Sequence, residues 1–134
     1  MIYLDSAALF KLIHTEVESP TLGGWLRHAE GPLFTSVLAE VELARAARAN
    51  APAALPRIPR LLAGVHLVEL TAEVRATAGS YAVAGLRSLD AIHLATASVI
   101  SRRTRLALKA FLTYDKQLFG AALSLQMPAL APSP

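Results

Sequence analysis

Short strand-like runs alternate with longer helix-forming runs along almost the whole of this sequence, and that alternation constrains the fold more than any other feature. Residues 1–4, 33–36, 66–70 and 110–114 are brief stretches rich in apolar and β-branched side chains, of a length suited to buried strands. Between them lie runs rich in Ala and Leu, which favour helix. A strand, a helix and a further strand in succession make a crossover unit, and crossover units join parallel strands. Repeated four times, the pattern predicts an α/β fold, a three-layer α/β/α sandwich around a mainly parallel sheet of four to five strands. Residues 123–126 are the candidate fifth strand.

Local signals set the boundaries. Residues 6–14 form a helix with Leu9, Leu12 and Ile13 on one side. Ser19 and Pro20 open a second helix, to about residue 29, before the break at Gly31-Pro32. Residues 37–49 read as a strong helix. Pro52, Pro56 and Pro59 make residues 51–60 a connector or a broken helix. Thr71 caps a helix to about residue 84, and Ser88 caps another to about residue 103. A last helix starts at Asp115. A chain of 134 residues has room for one domain. Residues 1–126 are assigned to it, and residues 127–134, with three prolines, are expected to form a loose tail.

Composition removes several classes. The chain is 54% hydrophobic and 17% charged, so it can fill a core. It has no cysteine, which excludes disulfides and thiolate zinc sites and suits a reducing cytoplasm. Asp5 and Lys11 interrupt any signal-peptide pattern, and residues 89–100 are too short and too polar to span a membrane. A net charge of +3 mildly favours a polyanionic partner.

The chain has only three aspartates, Asp5, Asp90 and Asp115. Each has a plain use near a helix N-terminus, where a carboxylate satisfies free N–H groups and meets the positive end of the dipole. As a set they carry more meaning. Asp5 and Asp115 both follow a strand, and open parallel sheets bind ligands outside the carboxyl ends of their strands. Asp90 opens a helix able to pack beside that edge. Carboxylates gathered there need a cation, and oxygen ligands select a hard one, magnesium or manganese. Glu40 and Glu42 add acid on the helix after the second strand. They diverge by about 200° around the helix, so only one can face the cleft, and geometry alone leaves both open.

Four segments then resemble the motif blocks of the PIN-domain family, and most of all the VapC toxins within it. They are Met1-Ile-Tyr-Leu-Asp-Ser-Ala-Ala-Leu9, Glu40-Val-Glu-Leu-Ala-Arg45, Leu89-Asp-Ala-Ile-His-Leu-Ala-Thr-Ala97 and Phe111-Leu-Thr-Tyr-Asp115. They occur in the family's order over nearly the whole chain. The resemblance implies a metal-dependent endoribonuclease whose catalytic and metal-binding acids are Asp5, Glu42, Asp90 and Asp115, with Mg2+ or Mn2+ as cofactor. Glu42 is preferred to Glu40 because it stands in a Val-Glu-Leu context. The family often has a hydroxyl two residues after its first aspartate. Here Ala7 stands there and Ser6 one position earlier. Thr113 keeps the family's hydroxyl before the last aspartate.

The resemblance further implies an RNA substrate, a VapB-like antitoxin and a homodimer. A metal site of this kind polarises a phosphate and lowers the pKa of water, with no demand for histidine; His93, three residues after Asp90 on the same helix, could approach the cleft but reads first as a packed structural residue. Arg102, Arg103, Arg105 and Lys109 form a basic cluster that is either solvated or bound to RNA phosphates. Lys11, Arg45 and Arg87 are further phosphate candidates. A haloacid-dehalogenase-like phosphatase would need a second acid at position 7, and a receiver-like domain would need paired acids near the first strand. Neither is present. The remaining alternative is a PIN-like module that binds protein or RNA without cleaving it.

Overall fold

The computed structural model describes residues 1–134 and contains five strands, all parallel: β1 (Ile2–Leu4), β2 (Leu33–Ser36), β3 (His66–Val68), β4 (Ala110–Leu112) and β5 (Ala129–Leu130). Their order in the sheet is β3-β2-β1-β4-β5. The chain steps outward from β1 through β2 to β3, then returns to the other side of β1 for β4. Between β1 and β4 the order therefore reverses, which opens a crevice at the carboxyl edge.

Helices cover both faces. They are α1 (Ser6–Ile13), α2 (Ser19–His28), α3 (Leu38–Asn50), α4 (Ile58–Ala63), α5 (Ala72–Ser80), α6 (Ser88–Thr104) and α7 (Lys116–Ser124). Alternation along β1 and β4 sorts the core between the faces. Ile2, Leu4, Ala110 and Leu112 point to one side and join Leu9, Leu22, Leu43 and Ile58 from α1 to α4. Tyr3 and Phe111 point to the other, stacked at 5.1 Å, and pack with Leu94 of α6 and Leu118 of α7. Val74, Ala95 and Val99 join α5 to α6. The three-layer sandwich expected from the sequence is the fold found. No helix is long and apolar enough to cross a membrane.

Three local expectations need correction. The fifth strand is not residues 123–126: α7 runs through Ser124, and Gln126, at φ 60°, turns the chain away. The strand forms at Ala129–Leu130, inside the segment expected to be loose, because β4 still needs a partner there. Phe111 N–H donates to the Pro128 carbonyl (2.9 Å) and Thr113 N–H to that of Leu130 (3.2 Å). Pro128 supplies only an acceptor, so its missing N–H costs the ladder nothing. Residues 51–60 are more ordered than a connector, forming a 3-10 helix at Pro52–Arg57 that leads into α4. Proline suits such helix starts, where its absent N–H would have no partner. Finally, Ser88 lies inside α6; Arg87 is the cap residue and makes no side-chain cap bond.

Candidate active site

Asp5 directly follows β1 and Asp115 lies three residues beyond β4, both at the carboxyl edge of the sheet, and each caps a helix. Asp5 Oδ1 accepts from Ala8 N–H at 2.8 Å, and Asp115 Oδ1 from Leu118 N–H at 2.9 Å. Capping uses one oxygen of each; the second oxygen of Asp5 takes the Thr113 hydroxyl and that of Asp115 the Arg87 guanidinium. Thr113 ties the pair together. Its hydroxyl donates to Asp5 Oδ2 and accepts from the Asp115 N–H at 3.1 Å. Asp5 is only 2% exposed. Burial pushes its carboxyl up to about 6, a rise that the Thr113 hydrogen bond and the nearby His93 oppose.

Glu42 and Glu40 part as the helix period requires. Glu40 is exposed, whereas Glu42 faces the crevice from α3 and is held at both oxygens. Ser6 donates to Oε2 at 3.1 Å, and His93 Nε2 lies 2.7 Å from Oε1. Ser6 thus supplies a hydroxyl from the position before Ala7. His93 is 1% exposed and packed, as the sequence suggests, yet it touches the acid cluster. Its Nδ1 in turn meets the Tyr3 hydroxyl at 2.8 Å. The place of His93 three residues after Asp90 pointed to its approach to the cleft, whereas its connection of Tyr3 to Glu42 was not legible in the sequence.

Asp90 and Asp115 approach each other through Arg87. The guanidinium gives Nε to Asp90 Oδ2 and a terminal nitrogen to Asp115 Oδ2, both at 2.9 Å. Arg87 is named from sequence only as a phosphate candidate; the structure makes it the counter-cation of two site acids. A cavity of about 300 Å³ opens here, lined by Glu42, Arg87, Ser88, Leu89 and Asp90. As placed, no three of the acids stand close enough to enclose an ion. The donor set is nonetheless all carboxylate oxygen, as a hard cation requires. The guanidinium already holds positive charge between Asp90 and Asp115, so the residues fit a divalent ion that would take over its role.

The other cations lie elsewhere. Arg102 and Arg103 pair with Glu73 of α5. They sit about 20 Å along α6 from Asp90, by helix rise. Lys109, at the opposite edge of the sheet, bonds the Glu30 carbonyl at 3.1 Å. Lys11 is committed to Glu16 and Glu18 and lies 4.8 Å from the centre of the Tyr114 ring. Arg45 is exposed on α3.

A family model described as PIN domain matches residues 2–122. The chain is 47% identical over 133 residues to Ribonuclease VapC35 of Mycobacterium tuberculosis, covering 98% of this chain and 97% of that one. It is 43% identical over 122 residues to Ribonuclease VapC47 of the same organism, covering 88% and 87%. Its fold is similar to a chain of a toxin–antitoxin complex from Klebsiella pneumoniae, with TM-score 0.69, 15% identity and 98% of both chains covered. A family match over nearly the whole length, joined by full-length relatives of one kind, establishes that this chain belongs to the PIN-domain family, on its VapC branch.

Proposed function

We propose that this protein is a ribonuclease toxin of a toxin–antitoxin pair, which hydrolyses RNA with a divalent cation held by Asp5, Glu42, Asp90 and Asp115. The observation that carries this reading is the placement of Asp5, Glu42, Asp90 and Asp115 along one edge of the sheet, with a guanidinium between Asp90 and Asp115 and Ser6 beside Asp5 bonded to Glu42. Kinship with full-length relatives named ribonuclease supplies the reaction class. The likeness to a chain of a toxin–antitoxin complex supports an antitoxin as partner. A homodimer acting in the cytoplasm completes the reading.

The protein's own groups have distinct duties. Thr113 fixes the separation of Asp5 and Asp115, while Ser6 and His93 hold Glu42. Bound Mg2+ or Mn2+ would supply charge stabilisation at the scissile phosphate and a more acidic water. Asp115, whose side chain is a third exposed, is the most solvent-open of the four carboxylates. Arg87 is well exposed beyond its two partners. When a cation displaces it from them, its planar fork is free to meet a phosphate. Purified protein should cleave RNA with Mg2+ and stop when a chelator is added. Asp90→Asn should fold but lose activity by two or more orders of magnitude, because a ligand of the charge-stabilising ion is gone. Cleavage by that variant at the wild-type rate would remove Asp90 from the site.

A further inference from the structure

We propose that Tyr3 and His93 form a buried relay, anchored on the backbone of β2, that holds the Glu42 carboxylate in its metal-binding orientation. The inference rests on the reading of Glu42 as a metal ligand, and it assigns positioning roles to two residues outside the acid set.

The hydrogen bonds run in one direction. Ser36 N–H donates to the Tyr3 phenol oxygen at 3.1 Å. The threonines beside that phenol give their hydroxyl hydrogens elsewhere, Thr35 to the Leu4 carbonyl at 2.7 Å and Thr96 to that of Ile92 at 2.6 Å. His93 Nδ1 lies 2.8 Å from the phenol oxygen, within reach of its hydrogen. An Nδ1 that accepts leaves the ring hydrogen on Nε2, which points at Glu42 Oε1 across 2.7 Å. In the opposite tautomer, Nε2 would set a lone pair against a carboxylate oxygen at that distance, which is repulsive. The Glu42 carboxylate thus selects the imidazole tautomer that donates to it, and the Tyr3 phenol, held by the backbone of β2, faces the nitrogen left to accept.

Burial makes the relay rigid. Tyr3 and His93 are almost wholly enclosed, their rings edge-to-face at 5.9 Å, and Tyr3 is stacked on Phe111. Glu42 has several rotatable bonds, and ordering them at the moment of ion binding would weaken that binding. With His93 at one oxygen and Ser6 at the other, the order is present beforehand. Partners of this kind orient metal ligands, and their loss typically weakens affinity by about 10–100-fold. A core histidine needing only to satisfy its nitrogens would do neither.

Two measurements test the relay, one without metal. Nitrogen-15 spectra of the metal-free protein at pH 8 should show His93 carrying its hydrogen on Nε2, and Tyr3→Phe should disturb that preference. Calorimetric titration with Mn2+, on variants shown folded by their melting curves, supplies the second. His93→Leu should bind Mn2+ about 10-fold or more weakly, and Tyr3→Phe a few-fold more weakly. His93→Gln, whose amide can donate from a similar place, should recover most of the affinity. Should His93→Leu fail to fold, the Tyr3→Phe and His93→Gln pair decides. A hydrogen on Nδ1 at pH 8 would overturn the relay. So would wild-type affinity in Tyr3→Phe and His93→Leu while Glu42→Gln binds weakly, a result that leaves Glu42 a ligand. Wild-type affinity in Glu42→Gln would instead remove Glu42 from the metal site, and the relay's purpose with it.

Discussion

Asp5 differs from the other site acids in how completely it is enclosed, and its titration should report on metal binding. An unfolded aspartate releases its proton near 3.8, whereas burial raises this one to about 6. Between those values the folded, metal-free protein keeps a proton that the unfolded chain has lost. Its stability contribution is therefore fully present below about 4 and is lost as pH rises through about 6. A cation needs the ionised form, so its affinity should move the other way, falling as pH drops below about 6. Titration at pH 5 and pH 7 in buffers of different ionisation enthalpy should show weaker binding and a released proton at pH 5. Identical affinity at both would place Asp5 outside the ligand set. At Glu42 and Glu40 the contrast is one of direction. Glu42→Gln should cost one to several orders of magnitude in cleavage rate at saturating magnesium, with the fold intact. Glu40→Gln, on the exposed face, should keep the rate and change stability by no more than about 0.5 kcal/mol. The reverse result would mean that α3 presents its other face to the substrate.

Among the elements, β5 is the shortest and has the clearest structural consequence. It covers the outer edge of β4, whose three residues are all buried. The Tyr114 hydroxyl also reaches across to the Pro132 carbonyl at 2.8 Å. Deleting residues 128–134 removes the acceptors for the Phe111 and Thr113 N–H groups. Each of these hydrogen bonds, exchanged for one to water, costs about 0.5–1.5 kcal/mol. Urea unfolding of the truncated chain should show a loss of about 1–3 kcal/mol, along with aggregation through the uncovered strand edge. Unchanged stability would mean that β5 is not part of the cooperative sheet. Thr113 gives this loss a functional side, because its hydroxyl is the link between Asp5 and Asp115.

Across the whole molecule, charge and apolar surface point to different partners. The basic balance is consistent with attraction to a polyanion, but several cations are neutralised by paired acids: Lys11 by Glu16 and Glu18, Arg102 and Arg103 by Glu73. Attraction to the RNA substrate proposed above would therefore act through the overall field more than through one prepared patch. Apolar surface is left over near the acids, where Val41 is 59% and Leu89 is 49% exposed. Side chains of this kind are more readily covered in an assembly than left in water. Light scattering should accordingly report a dimer at micromolar concentration. A monomer alone would refute it.

The alternation of strand-like and helix-like segments determined the α/β class, because parallel strands joined by helices leave few other solutions. Likewise, the positions of Asp5 and Asp115 just after strand-like segments set them at the carboxyl edge of the sheet. Both features follow from backbone periodicity and capping, which act over a few residues. Tertiary structure decided what depends on distant partners. The fifth strand moved to Ala129–Leu130 because β4, some eighteen residues earlier, sets where a partner can pair. Arg87 became a counter-cation because α6 brings it to an aspartate 28 positions away. Tyr3, His93 and Glu42 meet only because β1, α6 and α3 pack together, across separations of 90 and 51 positions. Periodicity names the face of an element, but only packing of all the elements decides which side chains on those faces come within hydrogen-bonding distance.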